Sequence, residues 1–181
     1  MVMNTLDELK VKQDITRDDI EKLLAAGADK VSINSAAHRN PDLIDKMARN
    51  FGSQFVVVAI DAREEKGAWN TYINGGRIPT GKDLFDWARE AEDRGAGEIL
   101  FTSMNHDGTR DGFACDAVAT LSKSLSIPVI ASGGAGSKEH FREVFFNTEC
   151  SAALAASIFH FSEIKIDDLK EYLKNEGIAI R

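Results

Sequence analysis

Short apolar runs that alternate with amphipathic helical patterns limit the possible folds of this chain more than any other feature. Five of these runs end in polar residues, and they span residues 30–35, 55–61, 98–103, 128–132 and 152–157. Strands that alternate with helices at this spacing predict parallel βα units joined by right-handed crossovers. Residues 69–73 and 77–80, joined across residues 74–76, predict a small β-hairpin. The sequence therefore predicts an α/β fold with five parallel core strands.

Capping residues and glycines mark where the helices begin and end. Residues 16–19 resemble a capping box, Gly27 closes that helix, and Asn40-Pro41 begins the next one. The apolar residues at helical spacing, which we expect to face the core, are Ile20, Leu23, Leu24, Leu43, Ile44, Met47, Ala48, Leu84, Trp87, Ala88, Ala91, Ala117, Val118, Leu121, Leu125, Phe141, Val144, Phe145, Leu169, Tyr172 and Leu173.

A glycine-rich turn follows the fourth apolar run. Residues 129–132 lead into Gly133-Gly134-Ala135-Gly136, and Ser137 is the expected cap of the next helix. Glycine leaves backbone N–H groups unobstructed, and the free N–H groups and the dipole of a helix N-terminus attract anions. The turn therefore predicts an anion site, although an isolated turn of this kind is equally typical of a tight strand-to-helix connection.

Size and charge narrow the class of ligand. The 181 residues suit one domain, in which we assign residues 1–15 to an irregular or displaced segment and residues 16–181 to the fold. A net charge of -7 argues against nucleic acid as a partner, whereas neutral backbone amides can hold a small phosphorylated substrate. Two isolated cysteines argue against a disulfide framework or a zinc site. Without a signal peptide or a long apolar span, we expect a cytoplasmic protein that binds no membrane.

Two segments of the chain resemble each other. Residues 16–52 and 137–177 both predict a capped helix, a strand ending in serine, and a second helix. In this alignment Ser35 matches Ser157 and His38 matches His160, both at a separation of 122 residues. This separation fits a barrel built from two similar halves. The segment that the repeat aligns with the glycine turn contains no glycine, so a second phosphate loop is lacking or replaced.

Polar residues collect at the carboxyl ends of the predicted strands, where parallel α/β folds bind ligands. They are Asn34, Ser35, Asp61, Thr102, Ser103, Asp107, Ser132, Gly133, Gly134 and Ser157. Asp61 follows an uninterrupted apolar run, so burial is expected to raise its pKa and suit it to proton transfer. Asp107, in an Asp-Gly-Thr loop, is its expected partner with opposite protonation. For each acid alone, a structural role as a cap or turn residue is an equally good account.

Several motifs together resemble the cyclase subunits of imidazole glycerol phosphate synthase. They are residues 28–37, 57–61, 95–100, 107–109, 131–136 and 153–157, and the resemblance extends from about Ile15 to Arg181. The sister isomerase of the histidine pathway has a similar half-barrel design but carries an acidic residue after the threonine of its sixth strand, where this chain has Thr102-Ser103. The resemblance implies a (βα)8 (TIM) barrel, here a partial one of about five parallel units plus the hairpin.

The resemblance also implies an activity and its residues. These cyclases are lyases of histidine biosynthesis without a cofactor or metal. They combine ammonia from a glutaminase subunit with a bis-phosphorylated ribulosyl-formimino aminoimidazole carboxamide nucleotide, giving imidazole glycerol phosphate and aminoimidazole carboxamide ribonucleotide. The resemblance implies that Asp61 and Asp107 are catalytic, and that Lys30 and Glu98 belong to the ammonia entrance. The residues implied to bind phosphate or substrate are Asn34, Ser35, Thr102, Gly108, Thr109, Ser132, Gly133, Gly134, Ala156 and Ser157.

Three N-terminal βα units of the family have no counterpart in the sequence. We therefore expect a cyclase chain that lacks these units and has impaired turnover on its own. Five units cannot close an eight-stranded barrel, so we expect the open sheet edges to pair with another chain, including a second copy of this one. Two alternatives stay open: a non-catalytic phosphate-binding or assembly fragment of the same barrel, and the sister isomerase, which acts without ammonia.

Overall fold

Seven strands in the described part of the chain form one sheet, and helices follow most of them. The structure, a computed structural model, describes residues 17–180, with only the backbone of Arg17. In chain order the elements are α1 (Arg17–Ala25), β1 (Val31–Ile33), α2 (Ser35–Arg39), α3 (Asp42–Phe51), a 3-10 turn (Ser53–Phe55), β2 (Val56–Glu65), β3 (Ala68–Ile73), β4 (Ile78–Asp83), α4 (Leu84–Asp93), β5 (Glu98–Ser103), α5 (Cys115–Ser124), β6 (Val129–Ser132), α6 (Lys138–Asn147), β7 (Ala152–Leu154), α7 (Ser157–His160) and α8 (Ile166–Asn175). The predicted segment 1–15 and Thr16 of the predicted capping box lie outside the described residues.

Five strands run parallel in the order β1-β2-β5-β6-β7. These are the five predicted core strands, and the predicted α/β class is confirmed in an arrangement consistent with a partial (βα)8 barrel. The first and last of them are shorter than predicted: β1 ends at Ile33 and β7 at Leu154. Each has a ladder partner on one side only among the described strands, and the chain turns into a short helix soon after each of them.

Strand β2 changes its neighbour halfway along one side. Residues 56–58 pair with β1, whereas residues 61–65 pair with the antiparallel strand β3, and β5 pairs with residues 57–62 on the other side. The prediction that Asp61 is the last residue of its strand was therefore wrong. The strand continues to Glu65 because the hairpin of β3 and β4 supplies a new ladder partner beyond the end of β1. The predicted hairpin itself is confirmed.

One face of the sheet packs into the main core. Alternate strand residues on this face are at most 1% exposed: Val56, Val58, Ile60, Ala62, Ile99, Phe101, Val129 and Ala131. The helical residues predicted to face the core are confirmed as buried or as packed against it. Trp87 of α4, for example, has no exposed surface. The opposite face therefore carries the intervening residues, Asp61 among them.

The start of α6 differs from the prediction. Ser137 occupies the position before the helix, but its hydroxyl makes no capping hydrogen bond, so the predicted cap was wrong. The Gly136 N–H, just before the helix, donates to Nδ1 of His140 in the first turn at 3.1 Å. This hydrogen bond connects the glycine turn to the start of α6. None of the helices described in residues 17–180 is long and apolar enough to cross a membrane.

His38 of α2 lies in an apolar contact with α4. Its ring stacks on Trp87 with centroids 4.3 Å apart, and Lys82 Nζ lies 4.1 Å from the Trp87 ring centre. Within the described part of the chain, neither ring nitrogen of His38 has a hydrogen-bond partner. Burial and, next, the charge of Lys82 lower the pKa of His38 from 6.5 to about 4, against an opposing effect of Glu90. The imidazole is therefore neutral in the folded protein at neutral pH.

Acid is expected to weaken the fold through His38. Because its pKa is lower in the folded than in the unfolded chain, its contribution to the free energy of unfolding is complete above pH 6.5 and is lost as the pH falls toward 4. Between about pH 7 and 4, the wild type should lose about 1–2 kcal/mol more than His38→Phe, after allowance for partial exposure. Urea denaturation across this range measures the difference. His160→Phe, at the exposed repeat position, is the control, and equal acid sensitivity of wild type and H38F contradicts the prediction.

Candidate functional site

A row of polar side chains crosses the sheet near the carboxyl ends of its central strands. Asp61 of β2 is in register with Thr102 of β5, and Thr102 is in register with Ser132 of β6. Residues in register on neighbouring parallel strands point to the same face. The side chains of Asp61, Thr102 and Ser132 therefore lie on one face of the sheet. The Gly133-Gly134 turn follows Ser132 and lies at the same end of the sheet as Asp61.

Asp61 is a partly buried acid with a second acid nearby. Asn34 Nδ2 donates to Asp61 Oδ2 at 3.0 Å. Burial and then the charge of Asp107 raise the pKa of Asp61 above its ordinary value of 3.8, while the hydrogen bond from Asn34 lowers it by less. The carboxyl group lines a cavity of about 270 Å³, which we call the acid cavity; its lining is Asp61, Gly75, Gly76, Thr102, Met104 and Asp107.

The loop after β5 carries Asp107 and packs directly on the glycine turn. The Asp107 N–H donates to the Ser103 carbonyl at 2.9 Å, and the Gly112 N–H donates to the Gly134 carbonyl at 2.8 Å. A Cβ added at Gly133 would lie 2.8 Å from the Ser103 oxygen, and one at Gly134 would lie 1.9 Å from the Gly112 oxygen. The two turn residues also have φ of +90° and +104°. Glycine is thus required at both positions.

A second cavity opens above the glycine turn, with a volume of about 190 Å³. We call it the glycine cavity; its lining is Asp107, Gly108, Arg110, Ser132, Gly133, Gly134, Ala135, Leu154, Ala155, Ala156 and Ser157. Asp107 lines both cavities, so they adjoin at this side chain. Together they fall within the range of about 300–1,000 Å³ that is typical of small-molecule sites. The site thus offers two acids at one end and backbone amides with serine hydroxyls at the other.

The two serines of the sequence repeat occupy similar backbone positions. Ser35 begins α2 and Ser157 begins α7, and the preceding residues have φ, ψ of −122°, −83° at Asn34 and −114°, −68° at Ala156. Ser157 lines the glycine cavity. Ser35 Oγ instead accepts the N–H of Asn74, at the hairpin tip, at 3.0 Å. The repeat therefore places one serine at the glycine cavity and the other under the hairpin, beside Asn34 and the acid cavity.

Five of the predicted residues line neither cavity: Asn34 and Ser35, which lie beside the acid cavity, and Thr109, Lys30 and Glu98. Thr109 is exposed, and its hydroxyl donates to the His106 carbonyl at 2.8 Å. Lys30 forms an ion pair with Glu98. Glu98 begins β5, four residues before Thr102. The ion pair therefore lies at the amino ends of the strands, roughly 13 Å from the acids.

Sequence reasoning missed seven residues that line the cavities: Gly75, Gly76, Met104, Arg110, Ala135, Leu154 and Ala155. The glycines were recognised as a turn, but only the pairing of β3 with β2 shows that this turn lies over Asp61. Met104 follows β5 directly, and a Cβ added at Gly76 would lie 2.6 Å from its Cε. The available signal for Arg110 was its position as a cation three residues after Asp107.

Metal and cofactor ligands were not predicted from the sequence. Across residues 17–180, no three His, Cys, Asp or Glu side chains are grouped so that they could hold a metal ion. Cys115 and Cys150 are free thiols, and burial raises the pKa of both. The polar groups among the residues that line the two cavities are carboxylates, hydroxyls, backbone amides and the Arg110 guanidinium.

The comparison with known families identifies the group of proteins to which this fold and site belong. The model of the family described as "Histidine biosynthesis protein" matches residues 15–165. The chain belongs to this family. The match includes both acids, the glycine turn and both repeat serines, so the geometry described above lies within the family's shared region.

Relatives in the family carry one recurring name, "Imidazole glycerol phosphate synthase subunit HisF". The protein of this name from Parabacteroides distasonis is 68% identical over 163 residues, and that from Phocaeicola vulgatus is 63% identical over 163 residues. Each match covers 90% of this chain and 65% of the relative. A third, from Elusimicrobium minutum, is 63% identical over 91% of this chain and 66% of its own length. The resemblance to cyclase subunits is confirmed, and the chain spans about 65% of the length of its first relatives.

Removing the charge of Asp107 is expected to lower the pKa of Asp61. In Asp107→Asn the repulsion between the two carboxylates disappears, while burial, the larger cause, still holds the Asp61 pKa above its ordinary value. A ¹³C NMR titration of the Asp61 carboxyl group measures the change. Asp111→Asn, which neutralises another exposed acid of the same loop, is the matched control. An Asp61 titration curve that is the same in wild type and D107N contradicts the coupling.

Proposed function

We propose that this chain carries the cyclase site of an imidazole glycerol phosphate synthase, a lyase of histidine biosynthesis. Its substrates are the bis-phosphorylated ribulosyl-formimino aminoimidazole carboxamide nucleotide and ammonia, and its products are imidazole glycerol phosphate and aminoimidazole carboxamide ribonucleotide. The observation that carries the proposal is the position of Asp61 and Asp107 around one cavity, next to a glycine cavity on the same end of the sheet. The name shared by the relatives supports it.

The two acids take opposite parts in proton transfer. Closing an imidazole ring on a sugar-derived chain and cleaving the bond to the leaving nucleotide both require protons to be moved at nitrogen and oxygen atoms. Asp61, whose pKa is raised by burial and by the charge of Asp107, is the proton donor. Asp107, on the adjoining loop, is the partner that accepts one. Asn34 holds the Asp61 carboxyl group through its side-chain amide.

The phosphate groups of the substrate bind at the two repeat positions. One occupies the glycine cavity, with donors from Ser132, Gly133, Gly134, Ala156 and Ser157 and with Gly108 alongside. Backbone N–H groups in such a turn suit an anion without any charged side chain. The other phosphate lies at Asn34 and Ser35, and Thr102 contacts the substrate between the two ends. Thr109, at the rim of the loop, contacts it only if the hydroxyl leaves the His106 carbonyl.

Ammonia arrives from the opposite end of the strands. The Lys30–Glu98 ion pair lies there, about 13 Å from the acids along β5. We propose that this pair forms part of the entrance and that a glutaminase subunit docks around it and supplies the ammonia. The word "subunit" in the name of the relatives agrees with such a partner.

An ammonia-dependent turnover assay tests the proposed function. This chain is incubated with the nucleotide substrate and ammonium chloride, alone and with the part of the Parabacteroides distasonis relative that lies outside the match, added as a separate chain. We expect formation of imidazole glycerol phosphate in the second mixture and little in the first. Turnover of the sister isomerase's aminoaldose substrate without ammonia, or no turnover in either mixture despite complex formation, contradicts the proposal.

A second candidate function is that of a phosphate-binding or assembly fragment. The sheet edges favour it, because β1 and β7 each pair with one strand only among the strands described. Leu154 on β7, which also lines the glycine cavity, is 43% exposed at this edge of the sheet. Phosphate binding without turnover under any complementation would favour this candidate over the cyclase.

Self-association through these edges is expected and measurable. Sedimentation equilibrium between about 1 and 100 µM should show a mass that rises with concentration. Leu154→Lys, which places a charge on the β7 edge, should lower the association, whereas Phe146→Lys, at a more exposed apolar residue of α6, should not. A mass equal to that of the monomer throughout the range contradicts edge pairing.

A further inference from the structure

Arg110 is the one cationic residue among those that line the glycine cavity in the described part of the chain. The other charged residue of that lining is Asp107, an acid. Backbone amides are neutral donors, so they do not balance the charge of a phosphate group, and a nearby guanidinium would. The charge balance of the cavity therefore depends on what the Arg110 side chain contacts.

The Arg110 side chain already has an anionic partner. Its Nη1 and Nη2 donate to the two carboxylate oxygens of Glu163, at 3.0 Å and 2.7 Å. Glu163 lies between α7 and α8, so the pair joins the loop after β5 to the segment that follows Ser157. The side chains are 48% and 39% exposed, and a pair so accessible to water is weakly held.

The backbone of Arg110 is fixed against the glycine turn, whereas the guanidinium at the end of its side chain is exposed. The residue has φ of +69°, and its carbonyl oxygen and Cβ would lie 2.4 Å and 2.7 Å from a Cβ added at Gly136. Two residues later the Gly112 N–H is bonded to Gly134. A change of partner by the guanidinium therefore needs only rotation of the side chain, with the loop in place.

We infer that Arg110 binds the phosphate group held in the glycine cavity, and that Glu163 competes with this phosphate for the guanidinium. A carboxylate and a phosphate both use the paired N–H donors at the end of arginine, and Glu163 occupies both terminal nitrogens. The negative charges of Glu163 and of the phosphate group also repel each other. Glu163 thus acts as an internal substitute for the anion and weakens the affinity of the cavity. The inference rests on the phosphate site of the proposed function and names a cation and a competitor within it.

The test is the affinity for inorganic phosphate, followed by ³¹P NMR or calorimetry on the full chain. Arg110→Gln should weaken binding about tenfold, because a charge-assisted contact is lost. Glu163→Gln, which keeps the shape but removes the charge, should tighten binding about threefold or more. In the double variant, the gain from E163Q should largely disappear, since the competition needs the guanidinium.

Arg142 and Glu176 supply the matched control. They form another exposed arginine–glutamate pair, 43% and 35% exposed, that joins α6 to the end of α8 and lines neither cavity. Glu176→Gln makes the same chemical change and should leave phosphate affinity unaltered. Weaker or unchanged binding in E163Q, or unchanged binding in R110Q, overturns the inference and leaves the phosphate site intact. Absence of phosphate binding by the wild type overturns the phosphate site as well.

Discussion

Asp61→Asn is expected to reduce ammonia-dependent turnover by about 10²–10⁴-fold, the usual contribution of a positioned acid or base. Asparagine has nearly the same shape and can still accept the hydrogen bond from Asn34, but its amide is not acidic and cannot transfer a proton. The loss should therefore appear in kcat, with little change in KM for the nucleotide. The measurement is the complemented turnover assay with saturating ammonium chloride.

Two further observations separate chemistry from folding in this variant. Burial disfavours the charged form of the Asp61 carboxyl group, so D61N, which cannot ionise, should be at least as stable as the wild type. The sign follows from the raised pKa of Asp61: its contribution to stability is complete below pH 3.8 and is lost as the pH rises through its folded pKa. Asp111→Asn, in the loop after β5, is the turnover control. Turnover in D61N within threefold of wild type would exclude Asp61 as a proton donor.

Gly134→Ala is expected to lower the free energy of unfolding by about 3–4 kcal/mol, since a strained backbone and a steric clash combine there. The residue has φ of +104°, and the new Cβ would lie 1.9 Å from the Gly112 oxygen. The loop from Met104 to Gly112 must then move away from the turn and take Asp107 with it. Phosphate affinity should fall at least about tenfold, because the donors of the glycine cavity no longer converge.

Gly67→Ala is the matched control for this prediction. Gly67 has φ of +82° in the turn between β2 and β3, and nothing lies within 4 Å of a Cβ added there. Backbone strain alone should cost this variant about 1–2 kcal/mol, with phosphate affinity unchanged. Urea denaturation and ³¹P NMR give the two quantities. A Gly134 variant no less stable than the Gly67 variant would mean that the loop does not rest on the turn as described.

Much of the fold follows from local pattern. The five core strands, the hairpin and the helix faces were predictable because apolar period and turn residues determine them one segment at a time. The length of β2 was not, because residues 63–65 are charged and become a strand only through pairing with β3. The hydroxyl cap at Ser137 is absent although the residue does occupy the position before the helix, so the position was predictable and the hydrogen bond was not.

The candidate site was likewise predictable only in part from the sequence. The polar ends of the strands could be predicted to meet, because parallel strands place their carboxyl ends at one edge of the sheet. The position of the hairpin tip over Asp61 could not, because it depends on how β3 pairs with the far half of β2. Arg110 was also missed, since its importance depends on Glu163, which is 53 residues away in the chain.

The two acids of the site differ in how their backbones are held. Asp61 lies within a strand that pairs with Tyr72 on one side and Thr102 on the other, whereas Asp107 lies on a loop. One acid is therefore stationary, and the distance between the two is set by the loop alone. Insertions or deletions from Met104 to Gly112 would change that distance without disturbing the sheet. Relatives that differ in chemistry on this scaffold should therefore differ mainly at those nine positions.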